Sequence, residues 1–236
     1  MPWNPCGKSI FMKMLHVYSY FTPQLDSDKK RLQVAAYTWK SQGWKECPIM
    51  DSELSRLFTE TPKKTLPFVR DVIDKGAEGL LYEDIIVFTN SDTAVSTDCA
   101  KKIKARLKKV PALYAFRRDF DPFYEPIPDT EISKGSTLGG SDLYAFTVEW
   151  WKANRKKFPL MVLAREGWDA ILRVIIDEGG NYPDTKLENV IYHAKHEAYW
   201  EKPELRHQLP GNIFNYERAL PFLAERKIDP KRFGFK

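Results

Sequence analysis

A chain of 236 residues suits one large α/β domain or two small ones, and its 43% hydrophobic and 14% aromatic content is ample for a core. Its net charge of +5 and pI near 8.9 fit a polyanionic partner or a diphosphate ligand, yet many ordinary enzymes share them, so charge alone selects no class. Three scattered cysteines (Cys6, Cys47, Cys99) exclude a disulfide staple and a cysteine metal site, and no apolar run is long enough to span a membrane.

The start, Met1 to Lys8, lacks the basic-then-apolar pattern of a signal peptide and reads as a loose leader, with the fold beginning near Met14. A cytoplasmic location is the resulting expectation. Residues 15–21 alternate apolar and aromatic side chains and read as a first strand, ended by Thr22-Pro23-Gln24. Asp26 or Ser27 can cap a helix over 28–39, where Leu32, Ala35, Ala36 and Trp39 share helical spacing and Gly43 stops the element. Cys47 to Met50 is a short second strand. Pro67 opens a second helix through Asp74, closed by Gly76 and Gly79.

Residues 84–89 form a third strand whose Ile85-Ile86-Val87-Phe88 run fits burial on both faces. Asn90-Ser91-Asp92 then falls at the carboxyl end of that strand, where open α/β sheets place their ligands. The triplet is either an Asx-type turn or a seat for a divalent cation that holds phosphates. Strand and helix alternate through the first hundred residues, a wound α/β pattern.

Residues 101–109 form a basic helix without a clean apolar stripe, and 112–116 a strand followed by Arg117-Arg118-Asp119. Residues 121–140 form a long loop rich in Pro, Gly and Ser, of the length that is often functional. A strand over 143–147 follows Gly139-Gly140-Ser141-Asp142 and leads into an amphipathic stretch at Trp150-Trp151. Trp168 to Ile176 is a mostly buried helix, and Val190 to His193 a late strand ending in His193-Ala194-Lys195-His196.

Each polar cluster carries a bland and a chemical reading. His193 and His196, three apart, are either surface structure or ligands for a borderline divalent metal. Asp142, Glu166 and Asp169 are either caps and dipole partners or groups that bind hydroxyls and accept protons. The basic segments 101–109 and 152–157 are either solvated helix faces or, with Trp150, Trp151, Tyr124 and Phe123, a track for a nucleic-acid backbone. No Gly-x-Gly-x-x-Gly, Walker loop or Gly-x-Ser-x-Gly elbow is present, which argues against a dinucleotide dehydrogenase, a P-loop NTPase and an α/β-hydrolase.

The order of a strand near residue 17, Leu-Pro-Phe-Val-Arg-Asp-Val-Ile-Asp (66–74) and Ile-Ile-Val-Phe-Thr-Asn-Ser-Asp (85–92) resembles the donor half of GT-A-type glycosyltransferases, the nucleotide-diphospho-sugar transferase superfamily. Gly-Ser-Asp-Leu-Tyr-Ala-Phe (140–146), Glu-Gly-Trp-Asp (166–169) and Ile-Tyr-His-Ala-Lys-His (191–196) resemble its acceptor half. The resemblance implies a single Rossmann-like α/β domain with a mixed central sheet flanked by helices, its donor half at about 14–118 and acceptor half at about 119–236. It implies Mn²⁺ or Mg²⁺ on Asp92 with His193 or His196, in a motif whose first position is Asn90 rather than aspartate. It implies a nucleotide-sugar donor, a UDP-sugar foremost, met by Tyr18, Tyr20, Thr22, Arg70, Asp74, Asn90, Ser91 and Asp92, and catalytic roles for Asp142, Glu166 and Asp169. The acceptor is open, with a modified base in DNA among those considered. The alternative from another class is a nucleic-acid-binding module on a catalytically degenerate transferase fold.

Overall fold

The computed structural model describes residues 12–20, 23, 25–137, 140–178, 184–195 and 207–235. In chain order the elements are β1 (Met14–Ser19), α1 (Asp26–Lys40), β2 (Lys45–Ile49), β3 (Phe58–Thr61), β4 (Lys64–Leu66), α2 (Val69–Gly76), β5 (Ile85–Thr89), β6 (Ala94–Val95) and α3 (Cys99–Leu107). Then come β7 (Ala112–Phe116), β8 (Arg118–Phe120), β9 (Ser141–Thr147), α4 (Val148–Asn154), α5 (Trp168–Glu178), β10 (Lys186–Leu187), β11 (Ile191–Ala194) and α6 (Pro210–Glu225), closed by a 3₁₀ turn at Pro230–Phe233.

Six strands form a mixed sheet in the order β10-β7-β9-β5-β1-β2. β1 pairs in parallel with β2 and β5, while β9 runs antiparallel between β5 and β7. The central strands are apolar on both faces because helices cover both. Ile85, Val87, Leu113, Ala115, Leu143 and Ala145 turn to one layer, which holds Ala35 and Trp39 of α1 and Cys99, Ala100 and Ile103 of α3. Val17, Ile86, Phe88, Tyr144 and Phe146 turn to the other, which holds α2, α4, α5 and α6. This is the α/β architecture expected, a mixed central sheet flanked by helices. The strand that enters between β5 and β7 comes from beyond residue 118, so both halves of the sequence build one sheet.

Local differences from the sequence reading have local causes. The first helix begins at Asp26, so Asp26 and Ser27 lie inside its first turn rather than capping it, and Asp26 and Asp28 sit near the positive end of the dipole. α2 ends at Gly76 as expected, and the glycine also lets the helix pack closely on β1, because a Cβ there would lie 2.5 Å from Val17 Cγ2. Ser141 and Asp142 are strand residues of β9, not a preceding cap, because Ser141 pairs with Phe116 across a register shift. The β3–β4 hairpin and α6 had no assignment from sequence. Among the described residues no helix is long and apolar enough to cross a membrane.

Candidate functional site

A second, three-stranded sheet of order β6-β11-β8 stands beyond the carboxyl end of β5. The chain leaves β5 through a turn in which the Thr93 N–H donates to the Asn90 carbonyl at 3.3 Å. This is the turn the triplet's polar residues favour, and it sets Asp92 just before β6. β6 pairs antiparallel with β11, and β11 pairs parallel with β8 so that His193 stands in register with Asp119. Three short strands therefore bring together residues 92, 119 and 193.

Their side chains form a row of alternating charge. Arg31 Nε lies 3.7 Å from Asp92 Oδ2, and Asp92 Oδ2 lies 3.2 Å from His193 Nε2. His193 Nδ1 lies 3.2 Å from Asp119 Oδ1. Arg117 then bridges Asp119 and Asp142, at 3.0 Å to each carboxylate. The side chains of Asp119 and Asp142 are 1% and 7% exposed, so each needs the cation beside it. Burial works against a charge on His193, but the Asp92 carboxylate and the hydrogen bonds to Asp119 and Asp92 outweigh it and raise its pKa to about 9. Burial alone would raise the Asp119 carboxyl. The His193 hydrogen bond and the Arg117 charge more than offset it, and the pKa falls below the usual range.

Asp169 is brought to the same end. Tyr144, two residues past Asp142, donates its hydroxyl to the Asp169 carbonyl at 3.2 Å and to the Ser141 carbonyl at 2.9 Å. Burial lifts the Asp169 carboxyl above its ordinary range, with Arg173 opposing and Asp142 adding to the lift. Glu166 points elsewhere. It accepts the Tyr216 hydroxyl, while Asn212 and Asn215 of α6 clamp its backbone at 3.1 and 3.0 Å. Next to it Arg165 and Glu60 form an ion pair with side chains 1% and 2% exposed.

At the end of β1, Tyr18 is buried and Tyr20 exposed, and the Tyr20 N–H donates to the Ile49 carbonyl at 2.9 Å. Behind Tyr18 the buried His16 ring lies 4.4 Å from Trp39 and 4.8 Å from Trp44, and its Nε2 is 2.7 Å from Thr89 Oγ1. Asn90 and Ser91 are half-buried on the turn that carries Asp92. Arg70 and Asp74 belong to another network. Arg70 donates to the Phe158 carbonyl, and Asp74 accepts from Trp151 Nε1 at 2.8 Å and from Arg155. No described contact joins either to Asp92. Thr22 and His196 lie outside the described residues.

Sequence reasoning passed over Arg31 and assigned no role to Arg117 and Asp119, although the cluster 117–119 stood out at a strand end. Nothing in the helix pattern of α1 marks Arg31 as facing Asp92. The two basic segments pack on opposite layers, α3 on one and α4 on the other, so they form no continuous stripe. In the second, Arg155 is already matched with Asp74.

The donor set suits a divalent cation that keeps most of its positions open. Asp92 offers a carboxylate and His193 an imidazole whose other nitrogen is anchored on a carboxylate, the arrangement that fixes ring orientation in metal sites. Among the described residues no group of three or more His, Cys, Asp or Glu side chains gathers where it could hold a metal ion, so this pair would supply only two ligands. No family model and no curated protein matches the chain. Among solved structures it is similar to that of S. aureus TarS (1–349), over 94% of this chain and 73% of that chain, with 13% identity and a TM-score of 0.46. A likeness this distant carries no argument about activity.

Proposed function

We propose that this chain is a GT-A-type glycosyltransferase that moves a sugar from a nucleoside diphosphate donor, a UDP-sugar foremost, to an acceptor hydroxyl or base. The observation that carries this reading is the auxiliary sheet that sets Asp92 against His193 at the carboxyl end of the main sheet, 3.2 Å apart. Asp92 and His193 would hold Mn²⁺ or Mg²⁺ once His193 gives up the proton that Asp92 and Asp119 stabilise on it. The bound ion would neutralise the diphosphate as it leaves the sugar.

The remaining residues take roles from their surroundings. Asp119 orients the His193 ring, and Arg117 keeps Asp119 and Asp142 apart in charge while adding a cation beside the leaving diphosphate. During transfer the bond from the sugar's anomeric carbon to the diphosphate breaks and a bond to the acceptor atom forms. The acceptor's proton needs a carboxylate whose affinity for it is raised, and at this end of the sheet burial raises that of Asp169. Asp142, held by Arg117, is the partner for sugar or acceptor hydroxyls. Glu166, engaged by Tyr216 away from the Asp92 row, takes no part in the step. Tyr18 and Tyr20 border the position for the base of the donor.

Calorimetric titration with UDP and GDP, with and without Mn²⁺, tests the reading. We expect binding that strengthens with metal, and an Asp92→Ala protein that stays folded but loses the metal-dependent part, at least tenfold in affinity. Absence of nucleoside diphosphate binding under every metal condition would overturn it. Salt-sensitive binding to duplex DNA without nucleotide binding would instead favour the nucleic-acid module.

A further inference from the structure

A cleft of about 370 Å³ opens between β7, β10, α5 and the 3₁₀ turn at 230–233. It lies apart from the Asp92 row, but at the same end of the main sheet, since Phe116 in its wall is the last residue of β7 and precedes Arg117. Its volume is that of a small-molecule site.

The lining is cationic and aromatic. The Arg173 guanidinium lies between two rings, 5.3 Å from the centre of Phe116 and 5.2 Å from that of Phe233. Such stacking fixes the plane of the guanidinium and leaves its edge for a ligand. Arg173 Nε is buried and has no hydrogen-bond partner among the described residues. Lys186 Nζ approaches the Phe116 ring at 5.9 Å, and Arg232 enters from the 3₁₀ turn. Among the described residues none of these three cations has an ion-pair partner. Of the two carboxylates in the lining, Glu178 is matched by Arg226, and Asp177 is held by hydroxyls of Tyr114 at 3.2 Å and Thr185 at 2.8 Å.

Three cations against the Asp177 and Glu178 carboxylates, the latter matched by Arg226, leave the lining net positive. A phosphate monoester suits that excess, and its oxygens match a planar guanidinium. We propose that this cleft binds a phosphate monoester, with the phosphate on Arg173, Lys186 and Arg232 and the ester's organic part against Phe116 and Phe233. Arg173 lies one helical turn along α5 from Asp169, so the ligand's organic part can extend toward that carboxylate. On the proposed glycosyl transfer, the acceptor is then a small phosphorylated molecule. Only this last step rests on that reading.

Titration of the whole chain with phenyl phosphate by calorimetry, with phenol as the neutral control, tests the site. We expect saturable binding of phenyl phosphate, at least tenfold weaker for phenol. Arg173→Gln and the double variant Lys186→Gln/Arg232→Gln are each expected to weaken it at least tenfold, and Asp92→Ala to leave it intact. The double variant removes exposed and half-exposed side chains, so it keeps the test informative should Arg173→Gln unfold. Equal binding of phenol, no binding, or binding indifferent to both cleft variants would overturn the proposal. So would loss in Asp92→Ala with retention in the cleft variants, which would move the phosphate to the nucleotide position. Tighter binding of duplex DNA, lost in the same cleft variants, would assign the cleft to a nucleic-acid backbone instead and overturn the small-molecule assignment. Nucleoside diphosphate binding at Asp92 is scored separately, so either reading can fail alone.

Discussion

His16 shows how one residue's surroundings set its chemistry. It lies in β1 among Tyr18, Trp39 and Trp44, fully buried, and burial lowers its pKa from 6.5 to about 3. The folded chain therefore refuses a proton that the unfolded chain accepts. The stability this gives is complete above about pH 6.5 and falls as the pH drops toward 3. Between pH 7 and pH 5 it amounts to about 2 kcal/mol. Urea unfolding at the two pH values should show the loss in the wild type and a correspondingly smaller one in His16→Gln. An unchanged difference in the variant would mean that His16 is not the group responsible. His193, also buried, goes the other way because carboxylates flank both its ring nitrogens.

Among the elements, the three short strands β6, β11 and β8 matter most for the site. Between two and four residues long, they have little stability of their own and depend on what packs beneath them. Tyr192 anchors them. It is 1% exposed, meets the rings of Phe120 and Phe123, and its hydroxyl accepts the Ile127 N–H at 3.2 Å. Tyr192→Ala removes that packing from the position beside His193. It is expected to cost about 3–5 kcal/mol in thermal or denaturant unfolding, as large aromatic truncations do. Donor binding should weaken with it even at temperatures where the variant remains folded. A variant with wild-type stability would show that β11 is held by other contacts.

Across the whole molecule, distant segments are tied by buried polar pairs as well as by the two apolar layers. Glu60 on the β3–β4 hairpin meets Arg165 in the segment before α5, and Gly211 of α6 packs so closely on this pair that a Cβ there would lie 2.8 Å from Arg165 Cγ. Without Arg165, the buried Glu60 carboxylate keeps only the half-exposed Lys64 ammonium at 3.2 Å and is left poorly compensated. Arg165→Leu is therefore expected to lose about 3–5 kcal/mol, while Glu60→Leu/Arg165→Leu should recover most of it, because paired burial of charge contributes little net stability over apolar packing. Denaturant unfolding of the two variants and wild type measures the difference, and a double variant as unstable as the single would contradict it. Asn212 and Asn215 act in the same region by hydrogen-bonding the 162–166 backbone, which holds α6 against the main fold.

The alternation and the apolar runs by themselves determined the main layer of this protein. The run 85–89 and the segment 112–116 are strands because β-branched and aromatic residues there are buried on both faces, and no partner needs to be known to see that. The polar triplet after β5 marked its own turn for the same local reason. The β3–β4 hairpin was not legible, since its short polar strands carry no strong period, nor was α6, whose interior Pro221 interrupts a helical pattern. Only the tertiary structure decided that Asp92, Asp119 and His193 meet, that Arg31 and Arg117 complete their row, and that Arg70, Asp74 and Glu166 serve other contacts. Strand ends can be placed from local pattern, but which side chains face one another is set by pairing register and by the packing of helices far apart in the chain.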